Sequence, residues 1–362
     1  NRNGYIEDIK FKGGAHWPTQ LKTQREEDGR PCLVVDKLKQ YVRQVVNDGR
    51  QNRPSVDVDP VDDGGDREVA EAFKGMIRHI CERSNADDAF DTALDCSVSG
   101  GYGFYRVVTR YVDESSFNQE PAIQRIVDPT SVLLGEHIEL DGSDAPDCFL
   151  MVDMPKDEFK EKYPDAKETN WESDGFKDGW SDEHTVRVCE YFHKEKEPQT
   201  IHLLEDGTTI EDDIYQSAIE SGLQVPAIVE SRDIPISKVE WCRMSGAEIL
   251  EEEDWLGKYL PVIFVVGNEL NLEGKVIYSG LIRDGKDPQR LYDYSRSGFA
   301  EVVAYTSKNP YIGAVGQFEG RPEWDDAHTK SYGKLEYNPQ DVAGVQLPPP
   351  RRESPVGIPE GF

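Results

Sequence analysis

The sequence feature that most constrains the fold is the stretch from Asp287 to Pro310, which reads DPQRLYDYSRSGFAEVVAYTSKNP. Asp287 is a suitable helix N-cap, and Pro288 suits the first helical position, where its missing N–H costs nothing. No further strong breaker follows before Asn309–Pro310. The stretch therefore predicts a helix over 288–307, about 30 Å long at 1.5 Å per residue.

This predicted helix carries apolar residues on more than one side. One stripe consists of Leu291, Tyr294, Gly298, Val302 and Tyr305, and a neighbouring stripe consists of Tyr292, Phe299, Val303 and Thr306. Small residues such as Ser295 and Ala304 would let other backbones approach closely. The pattern leaves two interpretations open, a buried core helix or a helix that packs against copies of itself in a ring.

Composition favours a multi-lobed subunit. The chain has 362 residues, enough for two or three domains, and 37% of them are hydrophobic. That fraction is low for a compact monomer, whereas 10% aromatic residues argue against disorder. Such a balance suits a subunit whose surface is completed by partners.

Charge and hydropathy exclude two classes of surface. The formal net charge is −29, and a protein that holds DNA tightly is usually basic. Any nucleic acid is therefore predicted to be a passenger that the protein does not grip. The longest apolar run, LPVIFVV at 260–266, is far shorter than the roughly 18 residues of a membrane span, so we predict no membrane partner.

No catalytic motif stands out in the sequence. The seven histidines form no HExxH or HxH unit, and neither GxSxG nor a P-loop occurs. The six cysteines form no CxxC pair and are predicted to be free thiols of a reducing compartment. We predict no catalytic, cofactor-binding or metal-binding residues and no cofactor.

One acidic segment and one glycine-rich segment suggest a calcium site and a phosphate site, but neither matches the known motif. The acidic segment 62–66 lacks the EF-hand spacing, so a turn with an N-cap at Asp66 is the better interpretation. Gly100-Gly101-Tyr102-Gly103 leads from a helix into a strand, the reverse of a phosphate-binding loop. A rival class, a metal-dependent nuclease or hydrolase with clustered carboxylates, would need its acids fixed on adjacent strands.

Periodicity predicts an α+β lobe with many antiparallel strands before the long helix. Helices are predicted at 18–28, 36–50, 67–83, 87–98, 155–163 and 213–222. Strands are predicted at 55–59, 104–112, 122–127, 131–135, 148–153, 184–194, 199–204, 236–243, 247–251, 260–266 and 275–282. The acidic, turn-rich segment 164–183 is predicted to be a surface loop.

A short aromatic segment follows the long helix. Its rings are Tyr311, Phe318, Trp324, Tyr332 and Tyr337. The segment is too short for a core of its own, so these rings need a neighbour, either the same chain or another subunit.

Several stretches together resemble the portal proteins of short-tailed, double-stranded DNA bacteriophages. They are the segments 30–66, 84–111 and 286–320, with PKDEFKEKYPDA (155–166) and LPPPRR (347–352) in fitting positions. Order and spacing agree along the chain from about Asp8 to Arg352. Besides the nuclease or hydrolase class, another virion component, such as a tail or adhesion protein, stays open as an alternative.

The resemblance implies a ring-forming portal fold and a non-enzymatic role. A mixed helix and antiparallel-strand wing would cover 1–283, a stem helix 284–307, a clip 308–350, and the start of a returning stem segment 351–362. Asp287, Pro288 and the first apolar stripe would form the stem contact between subunits, and the five clip aromatics would serve docking. The family continues with a returning helix, a tunnel loop and a crown, which this sequence does not reach.

The resemblance also implies partners and location. The subunit would form a ring of twelve at one vertex of the capsid, through which double-stranded DNA is packaged and ejected. The large subunit of the terminase motor, head-completion (adaptor) proteins, and capsid and scaffolding proteins would be its partners. The ring would belong to the virion and be assembled in the host cytoplasm.

Overall fold

The computed structural model describes residues 1–60, 65–167, 179–223, 225–306, 310–327 and 330–353. The predicted loop 164–183, the acidic turn at 62–66 and the end of the chain after Glu353 lie wholly or partly outside them. Within these residues the α-helices are α1 (Arg2–Lys12), α2 (Thr19–Glu27), α3 (Leu38–Gln51), α4 (Arg67–Arg83), α5 (Ala86–Gly100), α6 (Lys156–Lys162), α7 (Asp212–Glu220) and α8 (Leu281–Thr306). The predicted helices are all confirmed, most of them to within two residues at each end.

The strands form antiparallel pairs throughout the described residues. They are β1 (Tyr102–Tyr111), β2 (Gln119–Arg125), β3 (Val132–Leu134), β4 (Asp147–Pro155), β5 (Thr185–Leu204), β6 (Thr209–Glu211), β7 (Ile228–Met244), β8 (Ile249–Trp255), β9 (Val262–Val266), β10 (Asn268–Leu272), β11 (Lys275–Ser279), β12 (Tyr311–Ile312), β13 (Asp341–Val342), β14 (Val345–Gln346) and β15 (Arg351–Arg352). This mixture agrees with the predicted α+β class.

The chain divides into two compact units. The first unit combines Asn1–Ile9 with Val42–Arg283, and the second combines Lys10–Tyr41 with Asp284–Phe362. The second unit thus brings a segment near the start of the chain together with most of α8, from Asp284 onward. The predicted division into wing, stem, clip and returning segment concerns the assembled protein and stays a prediction.

The first unit is built on two antiparallel sheets. One has the strand order β2-β1-β9, and the other has the order β3-β4-β5-β7-β8, with β6 added to β5. Their apolar side chains meet in one core, with Phe104 and Phe264 from the small sheet and Phe192 and Val239 from the large one. Burial of such side chains is the main stabilising contribution of the unit.

Helix α5 crosses the small sheet at very short range. The helix is capped by Gly101, whose φ of 105° lies in the left-handed region that glycine adopts most readily. A Cβ added to Gly103 would lie 2.3 Å from the carbonyl oxygen of Ala93 in α5. The glycines of the 100–103 segment therefore let a helix and a strand pack backbone to backbone, which explains them without a phosphate.

The predicted start of the long helix is wrong. Helix α8 begins at Leu281, so Pro288 lies inside it rather than at its first position. Ile282 is buried, and Arg283 pairs with the buried Asp8 at 2.8 Å, which holds the earlier turn in helical form. Proline at this position removes the hydrogen bond to the carbonyl of Asp284 and also crowds that carbonyl. Asp287 is an exposed side chain that accepts a 3.4 Å hydrogen bond from Arg290.

This correction can be tested with two matched aspartates. Asp66 caps α4, because its carboxylate accepts a 2.8 Å hydrogen bond from the Glu68 amide. Asp66→Ala is expected to lower the free energy of unfolding by about 1 kcal/mol, and Asp287→Ala by less than about 0.5 kcal/mol. Urea titration measures both. An equal loss for Asp287→Ala would restore its role as a cap.

Several strand predictions differ from the structure. Residues 55–59 form no strand, and Asp57 instead pairs with Lys74 at 2.6 Å. The two strands predicted at 184–194 and 199–204 are one continuous strand, β5. Strand β10 was not predicted, because its hairpin to β11 turns through Glu273 and Gly274, both at positive φ, and a glutamate there gives no turn signal.

Candidate assembly surface

The buried face of α8 is polar. Gln289, Asp293 and Ser297 are all buried and recur every fourth residue, so they form one ridge along the helix. Glu301 continues the ridge, with its carboxylate mostly covered. Asp293 is only 1% exposed. A buried carboxylate is costly unless it is hydrogen-bonded, so this ridge must have specific partners.

The partner is an extended segment of residues 30–37, which we call the strap. The amide of Leu33 donates to Ser297 Oγ at 2.9 Å. The amide of Val35 donates to Asp293 Oδ1 at 2.9 Å, and that of Lys37 donates to Gln289 Oε1 at 3.0 Å. Gln289 Nε2 also donates to the Val35 carbonyl at 2.9 Å.

Simple geometry explains why strap and helix stay in register. Residues four apart on a helix are separated by about 6 Å along its axis. Residues two apart in an extended chain are separated by about 6.6 Å. Alternate amides of the strap therefore meet successive side chains of the ridge. The strap is bound as an edge strand would be, except that helix side chains replace the neighbouring strand.

Asp293 is the centre of this arrangement. Its Oδ2 lies 2.5 Å from His16 Nδ1, and its Oδ1 accepts from Val35 and from Gln289 Nε2. His16 is buried and stacks on Phe11, with ring centroids 4.1 Å apart. Three parts of the second unit thus converge on one carboxylate.

Glu301 binds the N-terminal end of the strap, at Arg30. Arg30 Nε donates to Glu301 Oε1 at 2.9 Å, and Arg25 Nη2 lies 3.4 Å from Oε2. The hydrogen bond to Glu301 raises the pKa of Arg30. Pro31 has no N–H to offer the ridge, and its carbonyl accepts from Arg25 Nη2 at 3.0 Å. The ladder of amides therefore ends at Leu33.

The opposite face of α8 is apolar and exposed. Leu291 is 68% exposed, and Phe299 and Val303 are also exposed. A shallow groove on this face is lined by Pro288, Leu291, Tyr292, Ser295, Arg296 and Phe299. A Cβ added to Gly298 would meet no atom within 4 Å. Exposed apolar surface of this kind marks interaction sites.

The predicted stem residues do not all share this face. Pro288, Leu291 and Gly298 lie on it, and Val302 is half-buried beside them. Tyr294 lies elsewhere, because its ring contacts Trp17 at 6.0 Å and Arg25 at 5.4 Å. Tyr305 falls in the last turn of α8. The buried ridge itself was missed by sequence reasoning, although its four-residue spacing was a visible signal.

The clip aromatics divide into a packed group and a separate group. Trp324 lies edge-on to Tyr311 and Phe318, with centroids 5.0 and 5.1 Å away. Its Nε1 donates to the Glu336 carbonyl at 2.7 Å. Tyr332 is 39% exposed and Tyr337 is half-buried. Packing within the chain thus accounts for three of the five rings.

Trp324 is therefore expected to hold the clip together. Trp324→Ala should lower the stability of this segment by roughly 2 kcal/mol, because a half-buried ring loses its contacts. Trp324→Phe keeps one aromatic ring but loses the indole N–H hydrogen bond and part of the ring contact, so it should cost less, about 1 kcal/mol. Hydrogen exchange of residues 311–327 measures both. Unchanged exchange in Trp324→Ala would show that the ring does not stabilise the clip.

Other reactive groups in the structure have structural explanations. Burial raises the pKa of the Cys148 and Cys189 thiols to about 12, which keeps them protonated. All six cysteines are free thiols, as predicted.

His202 forms hydrogen bonds with Ser231 and Asp212, each at 2.8 Å. His202 and Ser231 are directly paired across β5 and β7, so strand register alone brings them together.

The described residues contain neither a cluster of metal-ligating side chains nor a membrane-spanning helix. Within those ranges, no group of three or more His, Cys, Asp or Glu side chains is arranged to hold a metal ion. Over the same ranges, none of the helices is both long and apolar enough to span a membrane.

Comparison with known proteins identifies relatives. The family model described as "Phage P22-like portal protein" matches residues 1–362. The portal protein of Acyrthosiphon pisum secondary endosymbiont phage 1 is 25% identical over 303 residues, which is 78% of this chain. The match covers 41% of that relative, so the chain spans well under half of its length.

Proposed function

The chain belongs to the phage P22-like portal protein family, and from that premise we propose that it is a structural subunit of a twelve-membered ring at one vertex of the capsid. Double-stranded DNA would pass through this ring during packaging and ejection. The ring would be part of the virion and would assemble in the host cytoplasm. The family match over the whole chain is the observation that carries the proposal.

The two faces of α8 support self-association. A monomer would be expected to bury the apolar face of this helix and expose the polar one. Here the polar face is buried and the apolar face is exposed. We propose that neighbouring copies cover the apolar face, with Leu291, Gly298 and Phe299 at the contact. The open space at Gly298 would let a neighbouring backbone come close.

The charge of the chain supports passage rather than capture of DNA. A net charge of −29 repels phosphates. In physiological salt this repulsion acts over roughly 8 Å, the Debye length. Strong binding inside a channel would stall DNA, so an acidic subunit suits a conduit. The chemical energy for packaging would come from a separate motor, and we propose no enzymatic activity for this chain.

The clip is the proposed docking region for the terminase large subunit and then for head-completion proteins. Ile312 and Val315 are exposed there, Val315 at 95%, and Tyr332 adds an exposed ring. If alanine substitutions at these three positions leave docking intact, the partners bind elsewhere. Capsid and scaffolding proteins would contact the first unit.

Imaging separates this proposal from its rivals. Negative-stain micrographs of the purified protein are expected to show rings, and mass photometry should give their subunit number. Incubation with DNA and Mg²⁺ should leave the DNA intact. DNA cleavage by a protein that never forms rings would favour a metal-dependent nuclease. Fibres or spikes instead of rings would favour a tail or adhesion component.

A further inference from the structure

The strap decides which face α8 buries. Without it, the ridge of Gln289, Asp293 and Ser297 would have no amide donors from outside the helix, and nothing would favour burying these polar groups. The apolar face would then gain more from burial than the polar one. The observed orientation of α8 therefore depends on the strap and on His16.

The strap is also a segment that can detach at low cost. It is held mainly through its backbone amides, while its own side chains Leu33 and Val34 are 40% and 43% exposed. None of residues 30–37 is fully buried. Segments with few buried apolar contacts occupy the low-stability end of local unfolding.

We infer that the strap is a conformational switch that controls self-association through α8. When attached, it holds the polar ridge inward and leaves the apolar face available to a neighbouring copy. When it detaches, the helix can roll and bury its apolar face, which withdraws the contact surface. This inference rests on the proposed function, because it assumes that the apolar face of α8 mediates assembly.

Two contacts define the attached state. His16 approaches Asp293 from the loop after α1, opposite the strap amide of Val35. Arg25 and Arg30 both hold Glu301 at the end of the strap. Because Pro31 lacks an N–H, the strap cannot extend the ladder by another step. Neighbouring copies that bind the apolar face would in turn stabilise the attached strap, since linkage is reciprocal.

The decisive variant removes the ridge and leaves the apolar face intact. In the triple variant Gln289→Ala, Asp293→Ala and Ser297→Ala, the amides of Leu33, Val35 and Lys37 lose their acceptors. Buried amides without acceptors are costly, so the strap should move into water. Exchange of these three amides is expected to accelerate about 100-fold, and ring formation should need at least about tenfold more protein.

A matched control changes an exposed acid of the same helix that has no assigned contact among the described residues. The variant Asp284→Ala should exchange and assemble like the wild type. Ser297→Ala alone provides a milder test if the triple variant does not fold. It should accelerate exchange at Leu33 and raise the concentration needed for assembly by a smaller factor.

The outcomes separate the switch from the proposed function. Wild-type assembly by a variant whose strap amides exchange fast would overturn the switch, as would strap amides that stay protected in the triple variant. If the wild type itself forms no rings, the proposed function fails. The switch is then judged on monomers carrying Ser295→Cys. This thiol should react with maleimide in the wild type and be protected at least about fivefold in the triple variant, and equal reaction would refute the switch.

Discussion

Replacing Gly298 with tryptophan is expected to prevent ring assembly while leaving the chain folded. Gly298 lies on the exposed face of α8, and a Cβ there would have open space around it within one chain. The indole can therefore project into solvent in a monomer. In a ring it would occupy the place of a neighbouring helix.

The expected size of the effect follows from symmetry. Overpacking a close contact costs about 1–3 kcal/mol. Every interface of a closed ring carries the same change, so the penalty is repeated around the ring. We expect ring formation to need at least about tenfold more protein, and micrographs should show mostly monomers. Circular dichroism and urea unfolding should stay close to those of the wild type.

A tryptophan at another open helical glycine is the matched control. Gly75 in α4 also has no atom within 4 Å of an added Cβ. It lies on the side of α4 away from Val69, Phe73 and Met76, so Gly75→Trp should assemble normally. A second variant of α8, Leu291→Asp, should also impair ring assembly, because it places a charge in the apolar groove. Normal rings from both α8 variants would show that this face does not lie between subunits.

The two faces of α8 show how far the sequence could predict this surface. Periodicity located the helix and part of its exposed apolar face, because these depend on residues close together in the chain. It could not predict that Asp293 would be buried, since the covering strap lies more than 250 residues earlier. The start of the helix was misplaced for the same reason, because Asp8 stabilises the turn before Pro288.

The first unit was easier to predict where patterns are local. The Asp66 cap and the whole of α4 follow from signals within a few residues. The unpredicted strand β10 and the false strand at 55–59 depend on pairing, which sequence periodicity does not specify. The order of helix and strand argued against a phosphate loop at 100–103, but the packing of Gly103 against α5 could not be predicted without knowing which element crosses it.

The close packing of Gly103 against α5 predicts the largest change in stability that we expect in this unit. In Gly103→Ala the new methyl group would lie 2.3 Å from the Ala93 carbonyl oxygen and 2.9 Å from its Cα. Both atoms belong to the backbone of α5, so no side chain can rotate away. Helix and strand must separate, which opens the core around Tyr102 and Phe104.

We expect Gly103→Ala to lower the free energy of unfolding by about 3 kcal/mol, the upper range for overpacking in a core. Gly75→Ala is the matched control, since its methyl group meets nothing and a helical alanine is favoured over glycine by about 0.5–1 kcal/mol. Urea titration should therefore move the two midpoints in opposite directions. A loss below 1 kcal/mol in Gly103→Ala would mean that α5 can shift on the sheet. The three glycines of the 100–103 segment would then serve something other than close packing.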